Sequence, residues 1–195
     1  MKKLVLALLA VAVMAGAAFA EGEEMKVKVG LEMANNLNES NSGGNIDMDM
    51  GFGGSLEFLF PVASIVKIGP GIGVSYAGIK QTPDMKANGV TESFTNVPIY
   101  ATIEVNPIKE APGVFFKGSL GLNIGTLSVS GPSIMGVNSG SSSGSGIYYG
   151  IGAGYQFPFG LFLDAMYSGN GAAEEGGGTI TYSKVSISAG YKFAL

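Results

Sequence analysis

The side chains whose types and spacing could do chemistry are Lys26, Lys28, Lys67, Lys117, Lys184 and Lys192, together with Glu32, Asp47, Asp49, Glu57, Glu104 and Asp164. All twelve fall on alternate positions of strand-like segments and share one face. Six charges of each sign cancel there, and the chemistry they suit is ion pairing across neighbouring strands. They suit catalysis poorly. A general base near neutral pH is normally His, and the chain has neither His nor Cys, so thiol nucleophiles and His- or Cys-based zinc sites are also excluded. Every basic residue is Lys, which removes the guanidinium clamp for phosphate. Pairs such as Asp47 with Ser55 follow from a polar face alone. Glu174 with Glu175, and the cluster Glu21, Glu23 and Glu24, read as solvated charge and not as a Ca²⁺ site. The expectation is no enzyme and no catalytic, cofactor-binding or metal-binding residue.

The elements that must position these charges are eight stretches of period-two alternation, at residues 25–34, 46–60, 65–79, 94–105, 113–125, 146–157, 160–168 and 179–193. In the first, Met25, Val27, Val29, Leu31 and Met33 oppose Lys26, Lys28, Gly30 and Glu32. In the second, Ile46, Met48, Met50, Phe52, Leu56 and Phe58 oppose Asp47, Asp49, Gly51, Gly53, Ser55 and Glu57. The last sets Val185, Ile187, Ala189, Tyr191 and Phe193 against Lys184, Ser186, Ser188, Gly190 and Lys192. Connections after the even segments are short turns, whereas those after the odd ones are longer and polar, the longest at residues 126–145. Its Ser-Gly stretch, residues 139–145, has no apolar side chain to bury and reads as mobile.

Composition bears on which face is inside. Hydrophobic residues make up 46% of the chain, charged residues only 13%, and there are 32 Gly among 195 residues; an ordinary soluble domain is about one quarter charged. Lys2 and Lys3, the apolar run 4–18 and the Ala18-Phe19-Ala20 site form a secretory signal, so residues 1–20 are expected to be a signal peptide and 21–195 the folded domain. Removing two lysines with the signal leaves nine against fifteen carboxylates, a net charge of −6, which repels nucleic acid. If the balanced face lines an enclosed lumen, neutrality has a reason, since an unpaired charge there is costly. A solvated face would carry the same balance only by coincidence.

Ten glycines, among them Gly71, Gly121, Gly154 and Gly190, share the polar face, where they make room in a small barrel for lysines, Tyr148 and Phe162; the bulky Tyr100 and Phe115 share that face and argue against an open bore. Aromatics on the other face collect at segment ends. Phe58, Phe60, Phe116, Tyr155, Phe157, Tyr191 and Phe193 lie near the short turns, and Tyr76, Tyr149 and Tyr167 near the long loops, as in an interfacial belt. Pro70 and Pro98 fall inside segments, so each predicts a bulge or a local break in the ladder.

The signal, the eight alternating segments, the loop asymmetry and the terminal Ser186-Ile187-Ser188-Ala189-Gly190-Tyr191-Lys192-Phe193 strand resemble the small outer-membrane β-barrel proteins of Gram-negative bacteria, the eight-stranded OmpA-like and OmpX-like type. The resemblance spans residues 25–193. Relatives usually end on the aromatic residue, whereas Ala194 and Leu195 follow Phe193 here. It implies an all-β fold, an eight-stranded antiparallel up-and-down transmembrane β-barrel in the cell outer membrane, with both termini on the short-turn, periplasmic side. Its partners would be outer-membrane lipids, the barrel-insertion machinery during biogenesis and a surface ligand taken by the loops.

The leading functional expectation is a non-enzymatic barrel with a packed lumen and an envelope-structural or surface-interaction role. Eight strands enclose only enough width for side chains or one small ligand. Two readings stand beside it: a narrow pore or small-molecule conduit lined by Lys67, Lys117, Lys184, Glu57, Glu104 and Asp164, and a soluble exported barrel with inverted faces that binds a lipid inside.

Overall fold

Strands with one apolar and one polar face can satisfy every backbone group in a membrane only by closing on themselves. The computed structural model describes residues 22–39, 44–108, 110–131, 140–173 and 179–195, and the expected signal lies outside the described residues. The strands are β1 (Glu24–Glu39), β2 (Gly44–Asp47), β3 (Gly51–Ala63), β4 (Val66–Gly78), β5 (Thr91–Val105), β6 (Val114–Ser130), β7 (Gly140–Gln156), β8 (Leu161–Ala173) and β9 (Thr179–Ala194). From β3 onward each pairs antiparallel with the next, β1 pairs with β3, and β9 returns to β1. Short β2 continues β3 toward the long loops by pairing with the upper part of β1, so the wall is a closed eight-stranded barrel.

The stagger is fixed by the ladder. Opposed residues followed round the wall from Lys26 run through Glu57, Gly71, Tyr100, Gly121, Tyr148, Asn170 and Tyr182 to Leu37, well up the strand from the start. Such a shear goes with strands inclined at about 40° and an interior only wide enough for side chains. Glycine is required along this row. A Cβ on Gly71 would collide with the Tyr100 ring, and one on Gly121 with the Tyr100 backbone. Gly154 and Gly190 give way in the same manner to the rings of Phe115 and Phe162.

The faces are inside out relative to a soluble sheet. Val29 and Ile151, each 68% exposed, point outward with Leu120, Ile147 and Ile187, while Lys26, Glu57, Glu104, Lys117 and Asp164 are buried. The soluble-barrel alternative required the reverse. Phe58, Phe116, Tyr155, Tyr191 and Phe193 ring the short-turn end of the outer face, and Phe52, Tyr76, Tyr149 and Tyr167 the long-loop end. Both prolines interrupt one ladder each: β3–β4 pairing skips Phe58 and Leu59 opposite Gly69 and Pro70, and β4–β5 pairing skips Gly73 and Val74 opposite Val97 and Pro98.

Two expectations are corrected. Residues 126–130 and 140–145 are not loop, because β6 and β7 continue past the apolar band and pair there, Leu127 opposite Ser142 and Thr126 opposite Ser143. Backbone hydrogen bonds need no apolar side chain, which is how residues 140–145 join the ladder. The second correction concerns phase. The β1 register shifts between Met33 and Asn36, and the β2–β3 strand breaks at residues 48–50. Above these points Leu37, Ile46 and Met48 turn inward and Asp47 and Asp49 outward, opposite to an unbroken alternation. A single extra residue reverses every side chain beyond it.

A short helix, α1 (Pro83–Ala87), lies in the β4–β5 connection. Thr82 caps it by accepting from the Met85 amide, and Pro83 supplies the first turn. Among the described residues no helix is long and apolar enough to cross a membrane.

Candidate functional site

Inward positions of the barrel converge on the lumen, and the charged ones sort into tiers. At the short-turn mouth Glu24 accepts from Lys67 at 2.8 Å and from Lys192 at 3.0 Å. Lys26, 1% exposed, next donates to both oxygens of Glu104, and its ammonium lies 4.5 Å from the Phe115 ring centre and 5.1 Å from that of Phe162. Above them Lys117 binds Glu57 at 2.6 Å and Lys28 binds Asp164 at 2.7 Å, while the Tyr100 hydroxyl donates to Glu57 at 2.9 Å. Higher still, Lys184 binds Glu32 and donates to Ser75 at 2.9 Å.

Partners are not chiefly neighbours. Lys184–Glu32 and Lys192–Glu24 join the adjacent strands β9 and β1, but Lys26–Glu104 and Lys117–Glu57 each reach over two intervening strands. Lys67–Glu24 and Lys28–Asp164 reach over one. The expected neighbour ladder is therefore replaced by struts across the bore. Glu104 and Lys117 stand opposite each other on β5 and β6, yet each takes a closer partner elsewhere. A long Lys stem crosses a bore this narrow readily, and the resulting pair is shielded from water, so losing one partner leaves the other charge stranded.

Of the twelve residues singled out in the sequence, ten line the lumen. Asp47 and Asp49 do not, because the break at residues 48–50 sends them outward; Asp47 instead faces Lys80 at 3.5 Å on the rim, with both side chains more than half exposed. Glu24, read from sequence as solvated, takes a place in the lumen. Its even number, in phase with Lys26 and Lys28, was the signal that could have found it.

Between the Lys117–Glu57 tier and the Lys184–Glu32 tier a cavity of about 60 Å³ remains, bounded by Lys28, Ser55, Ser188, Tyr100, Tyr148 and Met166. Asn170 donates to Asn96 at 3.2 Å above it. The long-loop end is then closed by an apolar cluster of Leu37, Met48, Ala77, Ile79, Phe94 and Tyr182, with Ile46 and Leu127 packed against it. The Phe94 and Tyr182 rings lie 4.9 Å apart, and the Tyr182 hydroxyl reaches down to Glu32 at 3.3 Å. Among the described residues no three His, Cys, Asp or Glu side chains gather as a metal site would require.

The rim above this cap is acidic. Asp47, Asp49, Asp84 and Glu92 lie on it with only Lys80 and Lys86 as cations among its described residues. It could hold a neutral or cationic surface more readily than a polyanion.

No match was found among curated proteins. Among solved structures the chain is similar to Ail, the attachment invasion locus protein of Yersinia pestis, in complex with the heparin analogue sucrose octasulfate, with TM-score 0.61 and 18% identity over 89% of this chain and 100% of that one. Neisserial surface protein A gives 0.58 and 14% over 88% and 97%, and a major outer membrane protein from Thermus thermophilus gives 0.50 and 15% over 88% and 99%. These likenesses are likenesses of fold. The sequence itself matches the outer membrane protein beta-barrel domain over residues 5–193. Closed wall, lipid-facing exterior, charged interior and family match coincide along the same stretch, and the chain belongs to the outer membrane protein β-barrel family.

Proposed function

We propose that the protein is a non-enzymatic, closed barrel of the outer membrane whose work is done at the cell surface by its long-loop end. The observation that carries this reading is the double closure of the lumen. Lys26 is wedged between Phe115 and Phe162 below, and the Leu37–Phe94–Tyr182 cluster fills the bore above. A solute path would have to break both. Export with cleavage after Ala20 and recognition of β9 by the barrel-insertion machinery belong to the same reading, the latter because Ile187, Tyr191 and Phe193 present one outward apolar face up to the strand's end.

Ail was crystallised with a sulfated ligand, sucrose octasulfate. Here the rim is net acidic among its described residues, which favours a neutral or cationic surface ligand over a polysulfate. Immobilised heparin should not retain nanodisc-embedded protein at physiological salt; retention would overturn the ligand class. Reconstituted barrels in planar bilayers should conduct poorly. Large, steady single-channel currents would replace the surface reading with the pore reading, which the cavity between the tiers favours.

A further inference from the structure

We propose that Asn88, in the β4–β5 connection, is a site of spontaneous covalent modification, at which the side-chain amide is lost as ammonia through a cyclic imide formed with Gly89. Two Asn-Gly pairs occur in the chain, Asn88-Gly89 and Asn170-Gly171, and as sequence they are equals. Glycine after asparagine lets the ring close, since no Cβ shields the attacking nitrogen and the backbone turns freely. The fold separates the two pairs. Asn170 is 3% exposed in β8, opposite Tyr148 on β7 and Tyr182 on β9, and its side-chain amide donates to Asn96 at 3.2 Å. Gly171 is held in the same two ladders, opposite Ile147 and Thr181. Bringing its nitrogen onto the Asn170 Cγ would unzip the wall on both sides.

Asn88 and Gly89 are exposed, just beyond the end of the five-residue α1. The Asn88 amide donates to Asp84 O at 3.1 Å and the Gly89 amide to Lys86 O at 3.2 Å. At ψ 1° Asn88 holds the Gly89 nitrogen away from its own Cγ, so the ring forms when this turn opens. Opening costs only a few solvent-exposed bonds at the end of a short helix. The deprotonated Gly89 nitrogen then bonds to Asn88 Cγ, the Cγ–Nδ2 bond breaks and ammonia leaves. Water opens the imide at Cγ to give aspartate, or at the backbone carbonyl to give isoaspartate, whose main chain runs through Cβ. Either product adds a negative charge to a rim that already carries Asp47, Asp49, Asp84 and Glu92. The isoaspartyl link also inserts a methylene beside the bonds from Gly89 N to Lys86 O and from Val90 N to Met85 O that close the turn. The site stands whatever ligand the surface takes.

The test compares the two pairs within one protein. Folded barrel in nanodiscs is held in mildly alkaline buffer, sampled over time, digested in acid and read by peptide mass spectrometry. The fragment with Asn88 should gain about 1 Da and accept a methyl group from an isoaspartyl methyltransferase, the mark of the rearranged link. Asn170 should remain an amide, reacting at least about tenfold more slowly because its strand opens so much less often. In urea the two pairs should react at similar rates, which assigns the difference to the fold. Asn88→Gln should keep the folded gel mobility of the parent and lose the methyl-accepting product. Equal rates at the two pairs in the folded barrel, or an Asn88 that stays an amide when folded and reacts only in urea, would overturn the assignment.

Discussion

Near the short turns the lumen is filled by Lys26, Glu104, Phe115 and Phe162; near the long loops it is filled by Leu37, Met48, Phe94 and Tyr182. The lower filling sits inside a wall whose exterior is apolar, and the upper one inside a wall whose exterior carries Asp47, Asp49 and Lys80. Within the membrane the hydrophobic residues belong to the lipid, so the interior must be held by ion pairs and by rings laid on glycine. Where the strands rise into water, the usual rule returns and a small apolar core forms. One wall thus obeys two solvents, and the irregularities in β1 and between β2 and β3 mark the changeover.

The comparison predicts its own largest failure at the lower end. Lys26→Ala should leave Glu104, at 0% exposure, with Lys67 at 4.0 Å as its remaining cation among the salt bridges of the described residues and cost about 3 kcal/mol, measured as the urea midpoint of the folded barrel in bilayers. Lys26→Met combined with Glu104→Gln should recover most of that. A loss below about 1 kcal/mol for the single change would mean that the struts do not hold the interior.

The next effect tests the faces. Ile187, 53% exposed, and buried Ser188 are adjacent on β9. Ile187→Lys places an ammonium in hydrocarbon at about 2–4 kcal/mol, and Ser188→Lys should cost less. A polarity-sensitive dye on a single Cys should be quenched from the acyl chains at 187 and not at 188; the opposite pattern would invert the barrel.

Smaller, and aimed at the changeover itself, is a pair on one strand. Leu37→Ala removes a core side chain and should cost about 2 kcal/mol, seen as faster amide exchange along the upper part of β1, whereas Leu31→Ala on the lipid side should leave that exchange unchanged. Equal responses would show that no core exists above the membrane. Smallest of all, Asp47→Ala breaks an exposed pair with Lys80 and should stay within about 0.5 kcal/mol of the parent in the same denaturation assay.

Much of this was legible in the sequence because period two is a local signal. Residues 97–105 and 184–193 keep one phase throughout, so Glu104, Lys184 and Lys192 could be placed inward without knowing their partners. The partners themselves were not legible. Lys26 meets Glu104 only because strand inclination and bore width bring them together, and both are properties of the closed ring. Asp47 and Asp49 escape the sequence pattern for a different reason: alternation carried past residue 50 assumes an unbroken strand, and nothing in Met48-Asp49-Met50 announces a break. The Ser-Gly stretch looks loop-like because composition reports side-chain burial and is silent about backbone pairing.

Glu24 gives the barrel a test of its own completeness. Lys26 and Lys192 face each other directly across the seam where the first strand meets the last, a juxtaposition of like charges that opposes closure. Glu24 holds Lys192 from 168 positions away in the chain while also holding Lys67, and Glu104 draws Lys26 aside. A ring with its final strand missing or slipped by one position therefore loses the ties that Glu24 makes to Lys192 at its join. The correctly registered last strand brings Lys192 within reach of Glu24, so a carboxylate at the start of the wall ties down its end.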